Sequence, residues 1–293
     1  MDCSLSYQEP KLVAEIGCNH KGDINIAKEL IQVASEAKVK VVKFQKRNNK
    51  ELLTDKQYNT PHPNPIHSYG RTYGEHREFL EFNLNQHREL KEYAESLNLV
   101  YSSSVWDITS AREIVSLSPK LIKVPSACNT HFDMLKVLRD DYKGEVHISL
   151  GMTTQEEEDM ILSFFEKTTQ ADRLIIYSCT SGYPVPFEDV CILEISRIKD
   201  KFQKRVKAIG FSGHHLGIAV DIAAYTLGAS WLERHFTLDR TWKGTDHAAS
   251  LEPTGLRKLS RDLKATYRVL NYKSIDVLDI ERVQRHKLKY RKK

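Results

Sequence analysis

The chain has 293 residues, of which 40% are hydrophobic, and a formal net charge of +5. Residues 281–293 carry seven Lys or Arg and one Glu, so residues 1–280 sum to about −1 and the excess charge belongs to a basic C-terminal tail. Positive charge confined to a tail does not indicate a nucleic-acid-binding surface. The sequence contains no apolar run of about 18 residues, the length that would predict a membrane span. Since no leader-like sequence opens the chain, we expect a cytoplasmic protein.

Eight short segments begin with apolar residues and close on polar ones. In chain order they cover residues 12–19, 39–46, 99–106, 121–127, 146–152, 174–181, 208–215 and 230–237. Between them, apolar residues recur at helical spacings of three and four, as at Ile26, Leu30, Ile31 and Ala34. Strands that alternate with helices, in a chain near the ~250 residues typical of the fold, predict one (β/α)8 TIM-barrel domain over residues 1–280.

Two segments stand apart from this repeat. Residues 48–84, after the second predicted strand, are too many for an ordinary βα loop, and we expect this long loop to lie over the barrel mouth as a lid or partner contact. We expect the basic tail, residues 281–293, to be solvated or to contact another subunit. The five cysteines form no CxxC pair, and their odd number argues against a disulfide framework.

Polar residues at the ends of the predicted strands form the candidate active site. In a (β/α)8 barrel the carboxyl ends of the strands and the loops after them build the site. The residues predicted to converge there are Glu15, Lys43, Gln45, Ser104, Lys123, Ser126, Ser149, Ser181, Ser212, His214 and His235.

His214 and His235 close two neighbouring predicted strands, and side-by-side imidazoles indicate a divalent-cation site. The alternative is that one of them only hydrogen-bonds a loop. Glu15 and Asp246 are the carboxylates best suited to proton transfer or to holding metal-bound water. A salt bridge from Glu15 to a strand lysine is an alternative that can hold at the same time.

Lys43 and Lys123 lie among apolar residues inside predicted strands, so each must point into the barrel or be desolvated without a partner. We therefore expect an anionic substrate. Ser126, Ser149 and Ser212 would add hydroxyl donors around it, although each could also be a small barrel filler. Cys128 suggests a nucleophile, but no base pairs with it in the sequence.

Eight motifs occur in the order AEIGCNHKGD, VVKFQ, IKVPS, SLGM, SGYPVPFEDV, GFSGHHLG, LERHFTLDR and GTDHAASLEP. Over roughly residues 11–255 they resemble the sialic acid synthase (N-acetylneuraminate synthase) family. The resemblance implies a transferase of carbohydrate biosynthesis that condenses phosphoenolpyruvate with an aldose such as N-acetylmannosamine. The expected products are phosphate and a nine-carbon 2-keto-3-deoxy sugar acid. A divalent cation, Mn²⁺ or Mg²⁺, and a homodimer are implied as well.

Carried over residue by residue, the resemblance assigns the metal to His214 and His235. Phosphoenolpyruvate would be held by Lys43, Lys123, Ser126, Ser149 and Ser212, and the sugar would contact Gln45, Tyr183 and Asp246. From their positions at the strand ends we add Ser181 to the first set, and Ser104 and Trp106 to the second. Catalysis would rest on Glu15, Lys43, Lys123 and Asp246.

The sequence departs from the family pattern at three points. Cys128 stands where the family usually has Glu, and Gly213 stands where it has Asp, which we expect to remove carboxylates near the reacting centre. The chain stops at Lys293 without the C-terminal antifreeze-like domain whose arginine contacts the sugar's acyl group, so we expect an acceptor that does not depend on that group. Two alternatives stay open: a related 3-deoxy-octulosonate-type synthase, and a degenerate barrel that binds a sugar without catalysis.

Overall fold

The predicted (β/α)8 barrel is confirmed by a computed structural model, which describes residues 7–290; Cys3 and residues 291–293 of the basic tail lie outside this range. Eight strands form a closed barrel, each parallel to its neighbours. They are β1 (Lys11–Gly17), β2 (Val41–Lys46), β3 (Val100–Val105), β4 (Leu121–Val124), β5 (Glu145–Ser149), β6 (Leu174–Cys179), β7 (Ala208–Gly213) and β8 (Trp231–His235). The strands end before the predicted segments do, so Ser126, Ser181 and His214 lie just beyond them.

Helices follow the strands and surround the barrel. They are α1 (Ile24–Glu36), α2 (Asn49–Leu52), α3 (Asp55–Asn59), α4 (Tyr73–Leu80), α5 (Leu84–Ser96), α6 (Ile108–Ser116), α7 (Phe132–Asp140), α8 (Gln155–Glu166), α9 (Glu194–Phe202), α10 (Ala219–Thr226), α11 (Pro253–Val269) and α12 (Asp279–Leu288). The outer ring is α1 and α5 to α11. In α1 the buried side chains are Ala27, Leu30, Ile31 and Ala34, which include three of the four positions that the apolar spacing indicates; the fourth, Ile26, is half-buried. Among residues 7–290 no helix is both long and apolar enough to span a membrane.

The barrel interior and the outer layer have separate cores, because alternate side chains of a strand point to opposite faces. The inward core is small and consists of Val13, Val41, Leu121, Ile175, Tyr177 and Trp231. A much larger apolar cluster fills the space between the strands and the helices. The inward core closes the barrel beneath the strand ends, so the polar residues above it face an opening only at the carboxyl end.

Residues 48–84 are not a structureless loop, since they contain α2, α3 and α4. Capping boxes start two of these helices, from Thr54 to Gln57 and from Thr72 to Glu75. The segment contacts the loop after β8, where Tyr69 Oη donates to the carbonyl of Lys243 at 2.6 Å. Most of the predicted basic tail is helix α12, in which no residue is buried.

Candidate active site

A cavity of about 260 Å³ opens at the carboxyl ends of the strands. Apart from Asp246, every residue predicted for the site lines it: Glu15, Lys43, Gln45, Ser104, Trp106, Lys123, Ser126, Ser149, Ser181, Tyr183, Ser212, His214 and His235. The cavity is also lined by residues that the sequence did not single out: Pro125, Ala127, Met152, Cys179 and Glu233. The structure therefore brings the predicted residues together, while their individual roles stay predictions.

Two lysines and two carboxylates form the floor of the cavity. Lys43 Nζ lies 2.5 Å from Glu15 Oε2 and donates to Ser104 Oγ at 2.7 Å. Lys123 Nζ donates to both carboxylate oxygens of Glu233, at 3.1 and 3.2 Å. All four of these charged side chains are at least nine-tenths buried. The salt bridge from Glu15 to a strand lysine, given above as an alternative, is present with Lys43. The two formal positive charges and two formal negative charges of the cluster sum to zero.

Glu233 is the main residue that sequence reasoning missed. It accepts a hydrogen bond from Ser212 Oγ at 3.0 Å and lies 3.8 Å from Lys43 Nζ. Burial alone would raise the pKa of Glu233, but Lys123 and Lys43 hold it well below its usual range. A signal was available, because Glu233 follows two apolar residues on β8, and a buried carboxylate needs a partner as much as a buried lysine does.

Tyr177, His147 and Glu145 form a chain of polar contacts inside the barrel, and the Tyr177 ring lies against Lys123. Its Nζ lies 3.8 Å from the centroid of the Tyr177 ring. Tyr177 Oη is 2.7 Å from His147 Nδ1, and His147 Nε2 is 3.4 Å from Glu145 Oε2. Burial lowers the pKa of His147 to about 4, so the imidazole is neutral and carries one proton. With that proton directed at Glu145, Nδ1 accepts the hydrogen bond of the Tyr177 hydroxyl.

Hydroxyl groups converge on one side of the cavity above a glycine. A Cβ atom on Gly151 would lie 2.8 Å from Ser126 Oγ and closer still to Ser181 Oγ. Only glycine therefore leaves room for both hydroxyls to stand over the loop after β5. Serine hydroxyls beside lysine ammonium groups are suitable donors for phosphate or carboxylate oxygens.

His214 and His235 lie side by side at the mouth, with ring centroids 5.4 Å apart. His214 Nδ1 donates to the Thr180 carbonyl at 2.9 Å, which leaves its Nε2 lone pair free. Burial, followed by the nearby His235, lowers the pKa of His214 to about 3, so it is neutral, as metal binding requires. His235 Nδ1 is buried without a hydrogen-bond partner and lies 4.0 Å from Asp246 Oδ2.

The imidazole pair fits a divalent cation as two nitrogen ligands. Among residues 7–290 no group of three or more His, Cys, Asp or Glu side chains is arranged to hold a metal. Any further ligands would therefore come from water or substrate oxygens, as in open catalytic sites. Asp246 lies beside this pair rather than in the cavity wall; burial tends to raise its pKa, but His235 and Arg77 lower it below its usual value.

Two expected departures from the family pattern have different consequences in the structure. A Cβ on Gly213 would meet Phe211 and His215, on the outer face of β7. The expectation that Gly213 removes a carboxylate from the cavity was wrong. The neighbouring Ser212 and His214 line the cavity, so a side chain at position 213, between them, would point away from it. Cys128 is buried outside the cavity lining, and burial raises its pKa to about 12, which disfavours the thiolate a nucleophile needs.

The chain is similar to known proteins in both sequence and fold. A family model described as the NeuB family matches residues 30–274. Human N-acetylneuraminate-9-phosphate synthase is 36% identical over 277 residues, which are 94% of this chain and 76% of the human protein. The N,N'-diacetyllegionaminic acid synthase of Campylobacter jejuni is 33% identical over 254 residues, covering 86% of this chain and 75% of its own. The crystal structure of the N-acetylneuraminic acid synthetase of Leptospira borgpetersenii with citrate aligns with a TM-score of 0.80 at 25% identity, over 97% of this chain and 94% of that one.

Proposed function

The chain belongs to the NeuB family of phosphoenolpyruvate-dependent synthases, and on that premise we propose that it condenses phosphoenolpyruvate with an aldose. The products would be phosphate and a 2-keto-3-deoxy sugar acid of the sialic acid type. The observation that carries the proposal is the cavity itself, where buried lysines, serine hydroxyls and two imidazoles meet at the strand ends. Names of the relatives support the same class of product, since they make N-acetylneuraminate 9-phosphate or diacetyllegionaminic acid.

Phosphoenolpyruvate would lie on the lysine side of the cavity. Lys43 and Lys123 supply positive charge, and Ser126, Ser149, Ser181 and Ser212 supply hydroxyl donors for the phosphate and carboxylate oxygens. Glu15 and Glu233 already neutralise the two lysines. Binding a multiply charged anion at a cluster with no net charge requires additional positive charge in the site.

His214 and His235 are the residues that would hold a Mn²⁺ or Mg²⁺ ion. When bound, the ion supplies that positive charge and polarises the aldehyde oxygen of the sugar. The chain's own contribution is to keep the buried His214 imidazole neutral and to orient it through the Thr180 carbonyl, while the Asp246 carboxylate lies 4.0 Å from His235 Nδ1.

The reaction would begin with attack of C3 of phosphoenolpyruvate on the sugar aldehyde, which forms the carbon–carbon bond and leaves positive charge at C2. The carbonyl π bond of the aldehyde breaks, and its oxygen becomes an alkoxide that takes up a proton. The buried carboxylates of Glu15 and Glu233 stabilise that charge. Water then adds at C2, and Glu15 or Asp246 would take the proton that it loses. The bond between C2 and the bridging oxygen then breaks, the departing phosphate takes the proton of the C2 hydroxyl, and the 2-keto group remains.

The acceptor sugar would occupy the part of the cavity lined by Gln45, Ser104, Trp106 and Tyr183, called the acceptor wall below, with Asp246 beside it. These residues offer an amide, hydroxyls and an aromatic face, which are groups that bind sugar hydroxyls. We therefore propose that the acceptor is recognised mainly through its hydroxyl groups.

Phosphate release from phosphoenolpyruvate tests the proposal, measured with a panel of aldoses with and without Mn²⁺. We expect release with a hexose acceptor, and none from a Lys123→Met variant used as a matched control. A preference for a pentose phosphate, giving an eight-carbon acid, would instead support the 3-deoxy-octulosonate-type synthase. If no aldose supports release while a sugar still binds, the barrel is a binding protein and the proposal fails.

A further inference from the structure

Arg47 is a buried arginine next to the acceptor wall that has no role in the steps above. It follows β2 directly and is 5% exposed. Its guanidinium lies 4.1 Å from the centroid of the Trp106 ring, which is itself part of the cavity wall. Arg47 does not line the cavity, so any effect on a substrate must pass through the residues it touches.

The charge of Arg47 is balanced within the protein. Glu81 accepts from Arg47 Nη1 at 3.4 Å and from the backbone N–H of Arg47 at 3.0 Å. Burial raises the pKa of Glu81, and the nearby Arg47 offsets only part of that rise. A guanidinium that is buried, stacked on an indole and paired with a carboxylate has little capacity left to bind a substrate anion.

Arg47 also sets the orientation of the Gln45 side chain. Arg47 Nη2 donates to Gln45 Oε1, and Gln45 Nε2 donates to Glu15 Oε1 at 2.8 Å. A guanidinium has only donors and a carboxylate only acceptors, so the amide of Gln45 has a single orientation that satisfies both. Its carbonyl oxygen is turned toward Arg47, and the second N–H on Nε2 remains for a ligand.

Building on the proposed function, we propose that Arg47 is a positioning residue that determines acceptor specificity. It holds Gln45 as a hydrogen-bond donor toward the cavity and supports Trp106 as a flat wall. The wall therefore favours an aldose that presents an oxygen lone pair to Gln45 and a ring face to Trp106. Phosphoenolpyruvate is proposed to bind on the lysine side, which Arg47 reaches only indirectly, through Gln45 and Glu15, so its binding should depend on Arg47 far less than that of the aldose.

The test compares KM for the aldose with KM for phosphoenolpyruvate. In Arg47→Met we expect KM for the aldose to rise tenfold or more, because a hydrogen bond from a charged donor is lost, with KM for phosphoenolpyruvate within about twofold of wild type. Gln45→Met and the double variant complete a double-mutant cycle. If Arg47 acts through Gln45, the double variant should raise KM for the aldose little more than either single variant does.

A second variant guards against misfolding. Arg47→Lys keeps the positive charge beside Glu81, but an ammonium cannot also reach Gln45 and cover the indole, so we expect the same selective rise. Arg173→Met is the matched control, since Arg173 is half-buried and donates to the carbonyls of Gly144 and Leu138, remote from the cavity lining. It should lower the thermal midpoint without changing KM for the aldose.

The outcomes separate this inference from the proposed function. An unchanged KM for the aldose in folded Arg47→Met or Arg47→Lys overturns the role of Arg47 while the synthase activity stands. Equal rises in KM for both substrates, or additive effects in the cycle, overturn it as well. If the wild-type protein releases no phosphate with any aldose, the proposed function fails and this inference falls with it.

Discussion

Replacing Tyr177 with leucine should shift the pH range over which the enzyme binds phosphoenolpyruvate. The Tyr177 ring lies beneath Lys123, with 3.8 Å between Nζ and the ring centroid, and both side chains are buried. Burial lowers the pKa of Lys123, and the attraction of Glu233 opposes this, while Lys43 adds repulsion. The ring is therefore one of the few groups that keep the ammonium charged.

The size of the effect follows from this geometry. A desolvated cation over an aromatic face is stabilised by about 2 kcal/mol, and a change of one pKa unit corresponds to about 1.36 kcal/mol. Removing the ring should move the loss of the Lys123 proton about one and a half pH units lower. KM for phosphoenolpyruvate should accordingly begin to rise at a lower pH in Tyr177→Leu than in wild type.

The assay measures KM for phosphoenolpyruvate from pH 6 to pH 10 in wild type, Tyr177→Leu and Tyr177→Phe. Phenylalanine keeps the ring but leaves His147 Nδ1 without its donor, which should cost about 1–3 kcal/mol of unfolding free energy. Tyr177→Phe should therefore be less stable, with an unchanged pH profile. Coincident profiles for leucine and wild type, or equal shifts in both variants, would refute a role for the ring.

Four further predictions can be checked independently. Gly151→Ala should raise KM for phosphoenolpyruvate about tenfold or more and leave KM for the aldose nearly unchanged, because the added Cβ displaces two hydroxyl donors; equal changes for both substrates would contradict this. His235→Ala should abolish Mn²⁺ binding, measured by calorimetry, together with turnover; full turnover in excess chelator would exclude the metal site. A homodimer is expected in which residues 48–84 help cover a site, and a monomer at micromolar concentration in sedimentation experiments would count against it. As pH falls from 6.5 toward 4, the free energy of unfolding, measured in urea, should decrease. Each histidine whose pKa is lowered by burial in the folded state contributes up to about 1.36 kcal/mol per pH unit, because the unfolded state binds more protons. Burial lowers the pKa of His20 and of His87 to about 3 and the pKa of His147 to about 4. An unfolding free energy that does not change over this pH range would contradict the burial of these histidines in the neutral form.

The position of most site residues was predictable because two simple rules place them. Strands of a closed parallel barrel are covered on both sides and read as apolar runs, and their polar ends meet at one mouth. Lys43, Lys123, His214 and His235 were predicted on this basis and line one cavity. Glu233 could have been predicted in the same way, since it lies in a buried strand and needs a partner.

Local sequence signals also predict helices after β2. The capping boxes at Thr54 and Thr72 mark helix starts within residues 48–84, which were expected to form a loop. The error at Gly213 has a different origin, because adjacent positions on a strand point to opposite faces. Position 213 alternates with two cavity residues, so a side chain there faces the outer layer.

The barrel, its eight strands and the polar side chains at its mouth are predictable from the sequence, because burial and alternation act locally along each strand. The pairing of the buried charges, the support of Lys123 by Tyr177 and His147, and the orientation of Gln45 by Arg47 become apparent only in the folded chain. These pairings join residues that are distant in sequence, such as Lys123 and Glu233. Their distances depend on strand register and barrel closure, which no local pattern in the sequence encodes.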